Sequence, residues 1–424
     1  MKYKHRITDL LLEQRLQAKG AVLIEGPKWC GKTTTAKQLA KSILDLGDSV
    51  TLAAAEDDLQ FYPHRLLQGG TPRLIDEWQT IPVLWDMVRS EVDRREPFGQ
   101  FILTGSSVPV EQDKLRHSGT GRIGRIMMRP MSLWESGEST GSISLGDIFE
   151  GKSIEPQENK LQLEDVAFLL CRGGWPRATL LKGNLALGEA RDYFEAIYKV
   201  DIHRVDKVRR SSERTRLLLR SYARNQGCAI SYCKMKDDIL QNDNQSISDE
   251  TIADYVDALR KLFVIEDMPA WNPNICSKSA IQNSATRYFI DPSIATSALS
   301  VGPKDLINDL RSFGFFFESM AVRDLRTYAD ALGGELFHYR DSTGLECDAV
   351  LHRRDGTYGL IEIKLGGAAN IEKGIATLDA LESKIDKTKM KAPAFKMVLT
   401  AVGTNAGKRI SDGVFVVPIG CLKP

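Results

Sequence analysis

The sequence predicts an α/β fold, with a mostly parallel sheet at the N-terminal end, a helical stretch behind it and a second α/β region at the C-terminal end. Three observations predict this. Short apolar runs alternate with helix-spaced segments over roughly the first 130 residues. The first of those runs opens directly into a glycine-containing loop and then a helix. Beyond residue 285, a helix with a dense apolar face is followed by three strand-like runs. At 424 residues the chain is longer than a single core supports, so two or three domains are expected.

Residues 21–25 (AVLIE) are the first apolar run, and TTTAKQLAKSIL after the loop has helical spacing. Further apolar runs at 49–55, 73–75 and 100–103 read as strands between helix-like stretches, giving βαβ units. A helical region spans about 164–210 around CRGGWPRA (171–178). RTRLLLRSYARNQ, SYCKMKDDIL and SDETIADYVDALRKLF then read as three helices. Ser248 is placed to cap the third, with Asp249 and Glu250 in its first turn. The polar stretch QNDNQS (241–246) supplies the turn before it, and the strand-like VIEDMPAW follows, an order resembling a winged helix. RYFID (287–291) reads as a strand and FGFFFESMAVRDLRTYAD (313–330) as a helix. ELFHYR, LECDAVLHRR and TYGLIEIKLG follow as strands, the last two joined through the hairpin signal Asp355-Gly356. A helix at 371–390 and the strands FKMVLTA and GVFVVPI close the chain.

The net charge of +1 provides no global field toward nucleic acid or membrane, so such a partner would need a local patch. No apolar run reaches the ~18 residues of a membrane span, and the polar N-terminus is unlike a signal peptide. The seven cysteines are odd in number and scattered without a CxxC pair, which argues against a secreted disulfide framework and a zinc site and points to a reducing cytoplasm.

Gly26-Pro27-Lys28-Trp29-Cys30-Gly31-Lys32-Thr33 matches G-x-x-x-x-G-K-[ST] at every fixed position, between strand and helix, with Thr34 next in the first turn. Glycines let backbone N–H groups curl round phosphates, and a helix N-terminus favours negative charge. Lys32 would reach the β- and γ-phosphates of ATP, and Thr33 would ligate Mg²⁺. Arg73-Leu74-Ile75-Asp76-Glu77 is an apolar strand ending in two carboxylates. Asp76 suits the metal shell and Glu77 suits a general base for the attacking water. FILTGSS (101–107) ends a third strand in hydroxyls, with Thr104 and Ser106 as candidates to sense the γ-phosphate. In Gly121-Arg122-Ile123-Gly124-Arg125, one arginine, Arg122 first, is the candidate finger acting in a neighbouring subunit.

The order GPKWCGKTT (26–34), LIDEWQTIPVLWDMVR (74–89), LTGSS, GR-x-GR and GGWP (173–176) resembles a prokaryotic family of AAA-type P-loop ATPases. Members end in a domain of unknown function with a restriction-endonuclease-like fold, and the match covers nearly the whole chain. The resemblance implies an ATPase core at 1–163, a helical lid at 164–210, a winged-helix-like module at 211–284 and the restriction-endonuclease-like domain at 285–424. It also implies that Gly174 and Pro176 pack against adenine, although GGWP reads equally as a helix break.

Nucleases of the PD-(D/E)xK type place an acid on one strand and a carboxylate and lysine, two apart, on the next. Asp348, Glu362 and Lys364 fit, and Glu318 in the preceding helix resembles the additional acid. A three-residue loop with left-handed Gly356 would pair Arg353 with Thr357 and set Asp348 opposite Glu362. A two-residue loop would put the acids on opposite faces. The third winged-helix segment carries four acids before Arg260-Lys261, which favours a packing role over groove reading. The run Lys207-Val208-Arg209-Arg210, with Arg214 and Arg216, is a weaker nucleic-acid candidate beside its reading as a solvated face.

The leading expectation is a cytoplasmic, Mg²⁺-dependent ATPase, binding ATP and ADP, that couples its cycle to its C-terminal domains. Its expected partners are further copies of itself and DNA through the C-terminal or winged-helix region. The alternatives are an ATP-gated DNA nuclease and a nucleotide-switched scaffold with little turnover.

Overall fold

The computed structural model describes residues 3–107, 119–206, 208–240, 248–272 and 285–424. The expected turn at 241–246 and Lys207 of the basic run lie outside the described residues. The chain forms two compact units. The first comprises Met1–Pro130, Ala196–Ser212 and Asp254–Val264, and the second comprises Met131–Glu195, Glu213–Ala253 and Ile265–Pro424. No helix among the described residues is long and apolar enough to cross a membrane.

In the first unit, β1 (Ala21–Glu25), β2 (Ser42–Asp45), β3 (Arg73–Asp76), β4 (Phe101–Gly105) and β5 (Ile123–Met127) form one sheet. Their spatial order is β2-β3-β4-β1-β5, and every neighbouring pair is parallel. Alternation along each strand feeds two cores, as expected of a sheet covered on both faces. Ala21, Leu23, Ile75, Phe101 and Leu103 face one core, which also holds Trp78, Trp85 and Val88. Val22, Ile24, Leu74 and Ile102 face the other, with Leu12, Leu16 and Ala36 from the helices Ile7–Leu16 and Lys32–Leu39.

The apolar run at 49–55 is not a strand. It opens the helix Ser49–Phe61, because Asp48 accepts a bond from Thr51 N at 2.8 Å and caps the turn. The helix after the loop stops at Leu39, and residues 42–44, expected within it, belong instead to Ser42–Asp45, a strand at one edge of the sheet.

In the second unit, β6 (Ile143–Ser144) pairs with β14 (Leu422–Lys423). A seven-stranded sheet contains β7 (Gln157–Glu158), β8 (Gly334–Arg340), β9 (Glu346–Arg353), β10 (Tyr358–Lys364), β11 (Phe395–Thr400), β12 (Asn405–Lys408) and β13 (Phe415–Pro418). Its order is β7-β12-β13-β11-β10-β9-β8. β8, β9 and β10 are antiparallel, whereas β10 and β11 are parallel and joined across the helix Ala368–Lys384. The helix Leu310–Ala331 buries Phe313, Phe317 and Met320.

The three expected helices occur at Ser212–Arg224, Tyr232–Leu240 and Asp249–Lys261, and Ser248 Oγ accepts from Thr251 N at 3.1 Å. VIEDMPAW and RYFID are not regular strands. They pair through isolated bridges, Ile265–Phe289 and, just before RYFID, Met268–Thr286. Pro269 lacks an N–H, and its carbonyl instead accepts from His338 N at 3.0 Å, drawing the segment onto β8. Asp291 then caps the helix Pro292–Leu299.

The GGWP segment is a packing junction. Gly173 has φ +73, and a Cβ on Gly174 would lie 2.1 Å from the Met131 carbonyl oxygen. Gly174 N donates to Asp291 Oδ2 at 2.9 Å, and Trp175 Nε1 donates to Ser293 at 3.0 Å. Asp291 is paired in turn with the buried Arg323 at 2.9 Å, and Arg323 with Asp324, which accepts from Leu133 N at 2.9 Å.

Candidate nucleotide site

Parallel order brings the carboxyl ends of β1, β3 and β4 to one edge, where ligands bind in open α/β sheets. β1 ends at Glu25, and Met128 N donates to its carbonyl at 2.8 Å. That approach leaves no room for a side chain at position 26: a Cβ there would sit 2.1 Å from the Met128 carbonyl oxygen. Gly26 (φ +152) and Gly31 (φ +106) turn the loop. No side chain caps the helix that begins at Lys32, so its first N–H groups keep the anion-binding character of a helix start. Lys32 is buried inside the loop, its Nζ 2.9 Å from the Gly26 carbonyl and 2.7 Å from that of Pro27.

Thr33 Oγ1 donates to Asp76 Oδ1 at 2.8 Å. Thr104, fully buried, also donates to Asp76 Oδ1 and accepts from Glu77 N at 3.4 Å. Burial pushes the Asp76 carboxyl up from its ordinary range, while the bonds from Thr104 and Thr33 act against it. Glu77 stands in the left-handed region, φ 55, where the chain turns out of β3. Its Oε2 accepts from Ser106 at 2.9 Å and from the Gln79 amide. Neutral donors thus position both carboxylates, leaving their charge for a cation and a proton. Glycine cradle, ammonium, uncapped helix start and hydroxyl–carboxylate pair together fit a nucleotide phosphate tail with a divalent cation.

Trp29 (φ 65) and Thr34 are exposed at the loop, whereas Cys30 is buried. Lys28 pairs with Asp201 Oδ1 at 2.6 Å, tying the loop to the segment Ala196–Ser212. Arg6 is buried, donating to the Cys30 carbonyl at 2.8 Å and the Arg129 carbonyl at 2.7 Å. Tyr3 hydroxyl is 2.5 Å from Asp9 and 2.8 Å from Thr35 Oγ1. Arg6, Tyr3, Asp201 and Gln79 escaped the sequence reading. Only Gln79 had a signal, its place two residues after the acidic pair.

Arg122 bonds Asp93 at 2.9 Å, and Arg125 lies 3.2 Å from Glu25 and stacks over Trp85. Pro176 belongs to the second unit, half-buried, its carbonyl accepting from Thr179 at 2.8 Å. Arg210 is not part of a solvated face. Its side chain is 1% exposed and held by Asp206 at 2.6 Å and Asp254 at 2.8 Å.

In the second unit, Arg353 N donates to the Thr357 carbonyl at 2.8 Å and Gly356 has φ +83, so the three-residue hairpin register holds. Asp348 consequently stands opposite Glu362, continuing the pairing of Ala349 with Ile361. Lys364 Nζ lies 2.9 Å from Asp348 and 2.6 Å from Glu362. Burial pulls Lys364 down, but the two carboxylates outweigh it and hold it charged. Burial, then Asp348, pushes Glu362 up. Glu318 accepts from the Tyr288 hydroxyl at 2.5 Å and is pushed up to about 8 by burial and by Asp348. Among the described residues no group of three His, Cys, Asp or Glu is arranged to hold a metal ion.

Fold and loop together define the class: residues 18–136 form an AAA-type P-loop domain, and they match the family model described as AAA domain (AAA_14). Residues 163–305 match a domain of unknown function, DUF8612, and residues 313–422 match another, DUF4143. The chain is similar to the uncharacterized proteins Mb2031c of Mycobacterium bovis and Rv2008c of Mycobacterium tuberculosis. Each is 22% identical over 385 residues, which is 87% of this chain and 78% of the relative. Among solved structures it resembles the Walker-type ATPase PABY2304 of Pyrococcus abyssi, with TM-score 0.43 and 16% identity over 69% of this chain and 94% of that one. The ORC1 protein of Aeropyrum pernix, solved in complex with DNA, gives TM-score 0.26 and 13% identity over 70% and 93%.

Proposed function

We propose that this protein binds ATP with Mg²⁺ and hydrolyses it at the P-loop. The observation that carries the reading is the Thr33–Asp76 bond at 2.8 Å beside a Glu77 held by Ser106 at 2.9 Å. The loop N–H groups and Lys32 would bind the β- and γ-phosphates, and Thr33 with Asp76 would hold the metal. Magnesium, when bound, supplies neutralisation of charge between those phosphates. Glu77 would orient the attacking water and take its proton, and Thr104 would report the state of Asp76 to the backbone at Glu77. Arg122 is the proposed finger toward a second copy of the chain. Pro176 is the proposed adenine contact.

Coupling to the rest of the chain is proposed through Lys28 and Asp201, since the segment carrying Asp201 continues directly into the second unit. Within this reading the division into core 1–163, lid 164–210, winged-helix-like module 211–284 and restriction-endonuclease-like domain 285–424 is retained. The antiparallel β8-β9-β10 followed by parallel β11 supports the last. There, Lys364 paired with both Asp348 and Glu362 favours a binding module over a nuclease.

The test is ATP hydrolysis by wild type and Glu77→Gln, with and without double-stranded DNA. Turnover that requires magnesium and falls at least ~100-fold in the variant, with ATP still bound, is expected. Binding without turnover in the wild type would instead favour a nucleotide-switched scaffold. Plasmid cleavage that vanishes in Asp348→Ala would restore the nuclease.

A further inference from the structure

The β9–β10 hairpin ends in a cavity of about 560 Å³, bounded by the hairpin, the start of β8 and the stretch after the helix Ala368–Lys384. Four cationic side chains line it, Arg353, Arg354, Lys389 and Lys391, against two carboxylates, Glu335 and Asp355. One of those carboxylates is committed to the turn. Asp355 Oδ1 accepts from Thr357 N at 2.9 Å and from Thr357 Oγ1 at 2.6 Å, and Oδ2 lies 3.3 Å from Arg353.

The cations differ in how they are held. Arg353 is anchored, its guanidinium stacked 5.2 Å over the Phe149 ring, and its buried Nε has no hydrogen-bond partner. Lys389 leans on Asp386 at 3.5 Å. Arg354 and Lys391 are exposed and, among the described residues, have no carboxylate within 4.0 Å. His352 also lines the cavity: burial holds it below its ordinary range, and its Nδ1 is 3.4 Å from the Trp271 Nε1–H. In a chain of net charge +1, this is a local excess of positive charge around a concavity.

We propose that this cavity binds the phosphodiester backbone of nucleic acid. Exposed cations such as Arg354 and Lys391 around an open cavity suit a repeating phosphate chain better than a single enclosed anion. Such contacts position a strand without reading its sequence. The inference rests on the reading of the C-terminal segment as a binding module and supplies its ligand class. It is independent of the P-loop chemistry, because none of the four cations belongs to the first unit.

The test is fluorescence anisotropy of the full chain with a labelled 20-base-pair duplex between about 50 and 200 mM salt, comparing wild type with Arg354→Gln/Lys391→Gln. Removing two phosphate contacts should weaken binding about tenfold or more and reduce the slope of log affinity against log salt by roughly 2. Both residues are exposed, so the melting midpoint and ATP turnover should stay at wild-type values. A wild type that binds no duplex at 50 mM salt, or a double variant with unchanged affinity and slope, would overturn the proposal. Binding of inorganic pyrophosphate but not of the duplex would overturn it as well, assigning the cavity to small phosphates. Cleavage abolished by Asp348→Ala would end the binding-module reading alone, since cavity affinity is measured separately.

Discussion

At the end of β3, Asp76 and Glu77 take their bonds from Thr33, Thr104, Ser106 and Gln79, all neutral donors. On β9 and β10, Asp348 and Glu362 share the ammonium of Lys364 at 2.9 and 2.6 Å. Hydroxyls and amides orient a carboxylate without cancelling its charge, so the first pair stays available to a cation. A lysine cancels charge on the spot, and the second pair is internally compensated. Two acids at a strand end are therefore insufficient to define a metal site. The donors that hold them decide what they can do.

The largest expected effect separates the two pairs by stability. Lys364→Met leaves Glu362, 3% exposed, without its cation, and should cost roughly 3 kcal/mol in chemical denaturation. Asp76→Asn keeps an oxygen that can accept from Thr33 and Thr104, and should cost under about 1 kcal/mol while abolishing magnesium-dependent turnover. Equal destabilisation by both would break the contrast.

A smaller effect is expected behind the loop. Arg6→Ala removes a buried guanidinium from the Cys30 and Arg129 carbonyls, and should weaken ATP binding about tenfold, with Arg6→Lys recovering part. ATP titration of both variants checks it, and unchanged affinity would show the loop to be self-supporting.

The smallest concerns pH. Glu318 rises from the usual 4.5 to about 8 on folding, so its protonated form is favoured in the native state. Its contribution to stability is full below about pH 4.5 and is lost as pH rises through about 8. Glu318→Gln should flatten that part of the unfolding-midpoint profile, and an unaltered slope would place the titration elsewhere.

The phosphate loop was legible because backbone chemistry dictates its residues: nothing larger than glycine fits 2.1 Å from the Met128 carbonyl oxygen. The β9–β10 register was legible because Asp355-Gly356 admits few turns, and one of them has Gly356 left-handed. The edge strand Ser42–Asp45 was not, since SILD carries no long alternating pattern and the run at 49–55 drew the strand assignment instead. That run is alanine-rich and capped by Asp48, which favours a helix once the capping bond is seen. Arg6 and Asp201 were invisible for a different reason. Their partners are main-chain carbonyls and a lysine far along the chain, and neither leaves a spacing signature.

The P-loop unit is assembled from three separated stretches, the last being Asp254–Val264. During synthesis the residues up to Pro130 emerge first, yet Asp201 and Asp254 arrive only later to meet Lys28 and Arg210. At ribosomal speeds of about 5–20 residues per second, completion lags the sheet by on the order of ten seconds. The phosphate loop is therefore translated well before the residues that finish its unit. A nascent chain stalled near residue 163 would display the motif without the completed domain.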